Sequence, residues 1–157
     1  MSTRTLTFNG RKFRVAKQSF DAGGQGQVYE AEDIETGFPA IYKTLTRDDD
    51  KNADGQKRLA YQIESQLALN LPQTCAPIIS RHKGGDLGYL TLRAPGVILE
   101  QDRPRKFPER LETAWILACH WSRWEALGLA HGDIGLTNIM IDDAGTVSII
   151  DTDAFSA

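Results

Sequence analysis

Cysteine is nearly missing: the 157 residues hold two, Cys75 and Cys119, far apart in the chain. Two isolated thiols cannot frame a disulfide-stapled fold or a four-ligand zinc site, so both are expected as buried thiols in a reducing compartment. Long apolar runs are missing too, which leaves nothing to span a bilayer. Met1-Ser2-Thr3-Arg4-Thr5 has none of the apolar core of a secretory signal. An excess of one charge is also missing: 18 Lys and Arg stand against 21 Asp and Glu, a formal net charge of -3. Neither a nucleic-acid surface nor a basic membrane patch is expected from that balance. There is no internal repeat and no low-complexity segment. What remains, 41% hydrophobic and 25% charged, is the composition of an ordinary globular domain, long enough for a real core.

The most informative stretch is His131-Gly132-Asp133-Ile134-Gly135-Leu136-Thr137-Asn138, followed by Ile139-Met140-Ile141 and Val147-Ser148-Ile149-Ile150-Asp151. Asp142-Asp143-Ala144-Gly145 reads as a turn with glycine last. The flanking apolar runs then pair as a hairpin, which returns Asp151 towards Asn138. A carboxylate and an amide at one end of a hairpin suit a hard cation carrying phosphates. Taken alone, Asp133 and Asn138 at a spacing of five also describe many solvated loops.

Upstream, Leu6 and Phe8 alternate with Thr5 and Thr7, Asn9-Gly10 signals a tight hairpin, and Phe13 and Val15 continue on the return strand. Asp21-Ala22-Gly23-Gly24-Gln25-Gly26-Gln27-Val28 sets three glycines between strands, where backbone amides can approach a phosphate. Glu35-Thr36-Gly37 is a turn. Pro39 to Leu45 is a strand with Ile41 and Lys43 on one face. Arg47 to Gly55 reads as a polar loop, and Lys57 to Leu69 as a helix with Leu59, Ile63, Gln66 and Leu67 on one side and Glu64 beside them. Leu71-Pro72 ends it. Ala76 to Arg81 and Leu87 to Arg93 read as strands around a turn at Lys83 to Asp86, and Gln101 to Phe107 as a linker. A long helix opens at Pro108-Glu109-Arg110 and ends at Gly128, with Leu111, Trp115, Ala118, Cys119, Ser122 and Ala126 expected as its inner face.

His-x-Asp, four residues, Asn, a hairpin and a closing Asp resemble the catalytic loop and metal-binding segment of the protein kinase-like superfamily. The His-Gly-Asp form is also similar to aminoglycoside phosphotransferases. The upstream parts stand in the family's order: a glycine loop (Gly23, Gly26 and Val28 match, Asp21 replaces the first glycine), a strand lysine and a helix glutamate. The resemblance implies an α+β, two-lobed kinase-like fold. Residues 1–96 would form an N-terminal lobe with an antiparallel sheet and one helix, and 97–157 a reduced C-terminal lobe. It implies ATP and magnesium as cofactors, with Asp133, Lys43 and Asn138 catalytic and Asn138 and Asp151 binding the metal. Gly23, Gly24, Gly26, Val28, Ile41, Lys43, Glu64, Arg93, Ala94 and Met140 would surround the nucleotide. Glu64 would pair with Lys43, the backbone of Leu92, Arg93 and Ala94 would meet the adenine, and His131 would brace the loop.

Three departures shape the expected function. Gly135 stands where many Ser/Thr protein kinases carry a phosphate-contacting lysine. Asp151-Thr152-Asp153 replaces Asp-Phe-Gly. The chain ends at Ala157 without an activation segment. The expectation is a minimal bacterial Ser/Thr-type protein kinase, acting on a protein acceptor in the bacterial cytoplasm or as an effector in a host cytosol, with a completing protein partner in view. The alternatives are a small-molecule kinase and a nucleotide-binding pseudokinase.

Overall fold

Alternation at the N-terminus folds as the pattern predicts. Strands β1 (Thr3–Phe8) and β2 (Arg11–Ala16) pair antiparallel with Leu6 opposite Phe13. Asn9 and Gly10 link them with φ of 49° and 82°, the two left-handed conformations that a type I′ turn requires. The computed structural model describes residues 2–23, 26–45, 53–69, 71, 78–81, 88–102 and 105–152. By its contacts the chain divides into two compact units, Met1–Asn70 with Pro77–Arg93, and Leu71–Ala76 with Ala94–Ala157.

The first unit is an antiparallel sheet. Strands β3 (Asp21–Gly23), β4 (Gly26–Asp33), β5 (Pro39–Leu45), β6 (Ile78–Arg81) and β7 (Gly88–Leu92) join the opening hairpin in the order β1-β2-β4-β5-β7-β6, with β3 folded back on β4. Side chains alternate across such a sheet. One face gathers Phe8, Phe13, Val15, Tyr29, Ala31, Ala40, Tyr42 and Leu90 into a buried cluster. Phe8 and Phe13 meet edge to face at 5.6 Å, and each large side chain buried here contributes about 1.5–3 kcal/mol. On the other face Val28, Lys43 and Tyr89 stand in register on three neighbouring strands. Helix α1 (Ala53–Ala68) packs there through Ile63, which clusters with Ile78 and Tyr89, and Leu67 flanks it.

Helix α1 begins four residues before the expected Lys57. Alanine is a strong helix former, so the stretch from Ala53 supplies its first turn. Residues 46–52 and the expected turn at 83–86 lie outside the described residues. The turn between β4 and β5 is held by Asp33, a buried carboxylate that accepts the amides of Glu35 at 2.9 Å and Thr36 at 3.2 Å and pairs with Arg11. Burial alone would raise its pKa, but those amides and the Arg11 guanidinium outweigh burial and hold it below the usual carboxylate value.

The second unit is smaller. Strands β8 (Val97–Ile98), β9 (Ile139–Ile141) and β10 (Val147–Ile149) form a sheet of order β10-β9-β8, and helix α2 (Phe107–Ala126) lies against β10. Strand β8 was not expected. Only glycine fits just before it: Gly96 has φ +91°, and a Cβ there would collide with the backbone carbonyl of Ile141. Arg105 anchors the segment before α2 by pairing with half-buried Asp102 and donating to the Asp142 carbonyl at 3.0 Å.

Helix α2 ends as Gly128 predicts. Gly128 takes φ +70°, its amide reaches the Glu125 carbonyl, and the Leu129 amide reaches that of Trp124 at 2.8 Å, the paired bonds of a Schellman cap. The expected inner face is wrong. Thr113 and Trp124 are buried and Leu117 and His120 half-buried, whereas Leu111, Trp115, Ala118, Cys119, Ser122 and Ala126 are all exposed. The two sets lie on opposite sides of the helix, because a shift of two residues turns it by about 200°. The expected buried thiol fails with it, since Cys119 is exposed, while Cys75 lies outside the described residues. Among the described residues no helix is long and apolar enough to cross a membrane.

Candidate functional site

The loop from His131 to Asn138 is built around a buried imidazole. His131 is 2% exposed, and its ring stands 6.0 Å from that of Trp124 on α2. Its Nε2 lies 3.1 Å from the Ile150 carbonyl, and its Nδ1 faces the amide of Asp133 at 3.4 Å. A carbonyl needs a donor and an amide needs an acceptor, so these partners assign the proton to Nε2. His131 thereby ties the start of the loop to the residue just after β10. That is a bracing role.

Asn138 closes the loop. It ends a 3₁₀ turn, Leu136–Asn138, whose amide bond runs from Asn138 to the Gly135 carbonyl at 3.0 Å. Its side-chain Nδ2 donates to the Asp133 carbonyl at 2.7 Å and faces the Asp133 carboxylate at 3.4 Å. The amide nitrogen is thus committed to Asp133, and Oδ1 is the atom available to a ligand. Asp133 itself is exposed.

The hairpin brings in the third group. Ile139 pairs with Ile149 and Ile141 with Val147, and the Ile150 amide donates to the Asn138 carbonyl at 2.9 Å. Residues 138 and 150 therefore face each other at the end of the ladder, and Asp151 follows at once. The turn at the far end is as expected: the Gly145 amide bonds the Asp142 carbonyl at 3.0 Å, and the Asp142 carboxylate accepts Thr146 N–H at 2.8 Å. That bond, working against burial, holds the Asp142 pKa below its ordinary value. Asp151 has φ +57°, one of two non-glycine residues with positive φ among those described. Left-handed backbone in a residue with a Cβ costs roughly 1–3 kcal/mol and concentrates at functional sites. No feature of the sequence marked it.

Asp133 and Asn138 are thus joined in the second unit, and Asp151 follows directly on the residue whose amide bonds Asn138. Among the described residues, no cluster of three or more His, Cys, Asp and Glu could hold a metal by itself. Asn138 and Asp151 supply hard oxygen donors of the type that binds magnesium together with water and phosphate oxygens. Met140 is half-buried on β9, opposite Ser148, and Ala94 is buried at the start of this unit.

The other expected residues belong to the first unit. Lys43 is buried on β5 between Val28 and Tyr89, and Ile41 lies two residues away on the same face. Gly23 pairs with Gly26 where β3 turns into β4, and Gly26 has φ +158°. Gly24 lies outside the described residues. Asp21, in place of the first glycine, sits within β3 opposite Val28. Glu64 is exposed on α1, next to the buried Ile63. Arg93 is exposed, and its guanidinium pairs with Glu30 at 2.9 Å, a contact that spans β7 and β4 and that the sequence reading missed.

No protein-family model matches the chain. It is similar, at 25% identity over 146 residues, to a probable serine/threonine-protein kinase of Corynebacterium efficiens. The match covers 85% of this chain and 21% of the relative, so the chain spans about a fifth of that protein's length. The similarity points to a distant kinase-like relationship at most, and the α+β structure with its antiparallel sheets is compatible with a reduced fold of that kind.

Proposed function

We propose that the chain forms the nucleotide-binding core of an ATP- and magnesium-dependent phosphotransferase. Its two units would be the lobes of a kinase-like fold, and its acceptor a serine or threonine hydroxyl of a protein. The observation that carries this reading is the Asn138 side chain bound to Asp133, with Asp151 next to Ile150, whose amide bonds the Asn138 carbonyl.

Each residue then has a task. Asp133 orients the acceptor hydroxyl and takes its proton. Asn138 holds the loop through Nδ2 and offers Oδ1 to the metal, with Asp151 as the second protein ligand. Magnesium, when bound there, offsets charge on the phosphate oxygens. Lys43 and the amides around Gly23, Gly24 and Gly26 hold the phosphates, and Glu64 steadies Lys43. Such transfer depends mostly on positioning and charge stabilisation, which this set of residues can supply.

Thermal midpoints with and without magnesium-ATP test the nucleotide site. The wild type should shift upward by mass action, and Asp151→Ala should abolish the shift. Asp133→Asn should keep the shift and lose phosphoryl transfer. A wild type that never shifts would sink the reading for the chain alone and turn the search to a completing partner. Gly135, in place of a phosphate-contacting lysine, favours a small-molecule acceptor as the second reading. Transfer to an aminoglycoside or similar alcohol, with none to protein, would select it.

A further inference from the structure

Helix α2 carries its most apolar stripe outward. Phe107, Leu111 and Trp115 are 64%, 55% and 71% exposed. Ala118, Cys119, Ser122 and Ala126 continue the same stripe and are also exposed. The spacing of 107, 111, 115, 118, 122 and 126 is that of a helix–helix seam. Solvent is a poor partner for such a stripe, and a tryptophan this exposed on a regular helix marks an interaction surface. The seam is also polarised. Its N-terminal half is bulky, and its C-terminal half is small.

We propose that this face pairs with the same face of a second copy, the two α2 helices antiparallel about a two-fold axis between Ala118 and Cys119. Three observations favour this occupant. The first is shape. A two-fold axis at that point sets Leu111 against Ala126 of the second copy and Trp115 against its Ser122, so each bulky half meets a small half. A parallel pair would stack Trp115 on Trp115. The second is charge. Glu112 and Arg123 are both exposed and three turns apart, on one flank of the stripe. Like flanks meet across such an axis, so Glu112 of each copy faces Arg123 of the other. Arg110 and Glu125 repeat the relation on the opposite flank. The third is area. Phe107, Leu111 and Trp115 leave on the order of 350 Å² of apolar surface open per copy, taking side chains of about 150–250 Å². Two copies, with the small residues and flanking charges added, reach roughly the 1,000 Å² that a specific interface needs. The pairing does not depend on the phosphotransferase reading.

The test is the solution mass of the full chain across a concentration series. The monomer is 17.4 kDa, and the wild type should approach twice that mass as concentration rises. Trp115→Glu should remain monomeric with an unchanged far-ultraviolet spectrum. Arg123→Glu should weaken association at least tenfold, as should Glu112→Arg, and the double variant Glu112→Arg with Arg123→Glu should regain most of it. A wild type that stays monomeric at high micromolar concentration overturns the proposal and leaves the stripe to a different partner. Association that persists in Trp115→Glu, or single charge reversals that the double variant fails to rescue, overturns the antiparallel arrangement.

Discussion

The two units differ in how closely the apolar pattern of the sequence matches burial. In the first, alternation in the strands translates directly into burial: Phe8, Phe13, Val15, Tyr42 and Leu90 are all inside. In the second, the described buried apolar residues include Leu71, Ala94, Leu129, Ile139, Ile141, Val147 and Ile149, with Trp124 from α2. His131, Thr113, Ser148 and Thr152 are buried there, and the Arg105–Asp102 pair is half-buried. Meanwhile Phe107, Leu111 and Trp115 face outward.

Breaking each unit separately sharpens that contrast. All three tryptophans lie on α2, so indole emission follows the second unit alone, while far-ultraviolet dichroism follows both. Gly96→Ala should have the largest effect, about 4 kcal/mol, because it adds both a left-handed penalty and a clash with the Ile141 carbonyl. In urea titrations the loss should fall on the indole transition. Leu90→Ala should cost about 3 kcal/mol through a cavity in the sheet core. That loss should appear in the dichroism transition first, and an equal shift of the indole transition would show that the units unfold as one.

His131→Ala should cost about 2 kcal/mol by leaving the Ile150 carbonyl and the Asp133 amide without their partner. Emission should change as well, because Trp124 loses its neighbouring ring. Unchanged emission and stability would refute the bracing role.

The smallest effect is a pH dependence in the first unit. The Asp33 pKa is lowered in the folded state relative to its ordinary 3.8. The folded state then releases that proton more readily than the unfolded chain. Its stabilisation is full above the unfolded value and is lost as pH falls through the folded one. The wild type should lose stability more steeply in that acid range than Asp33→Asn, read by thermal melts, and parallel slopes would count against Asp33 as the source.

Much of this was legible in the residues alone. Asn9-Gly10 predicted its turn because few pairs tolerate two left-handed conformations. Gly128 predicted the end of α2 for the same reason. The turn at Asp142–Gly145 and the return of Asp151 beside Asn138 followed from local turn chemistry and strand pairing. The missed pieces were those where local pattern underdetermines the outcome. Strand β8 is two residues long and exists because β9 offers it an edge. The start of α1 was hidden by a polar composition that serves loop and helix equally.

The orientation of α2 is the plainest case. Periodicity states that a helix has an apolar stripe, and it cannot state which side the neighbouring strand will take. Here α2 lies against β10 with Thr113 and Trp124 turned inward, Trp124 beside His131, and the more apolar stripe is left outside. The order and spacing of His131, Asp133, Asn138 and Asp151 belong to the sequence, because turns and strand register act over a few residues. The hydrogen bonds that aim Asn138 at Asp133, the left-handed backbone at Asp151 and the outward face of α2 belong to the tertiary structure. Each depends on groups that only packing brings together.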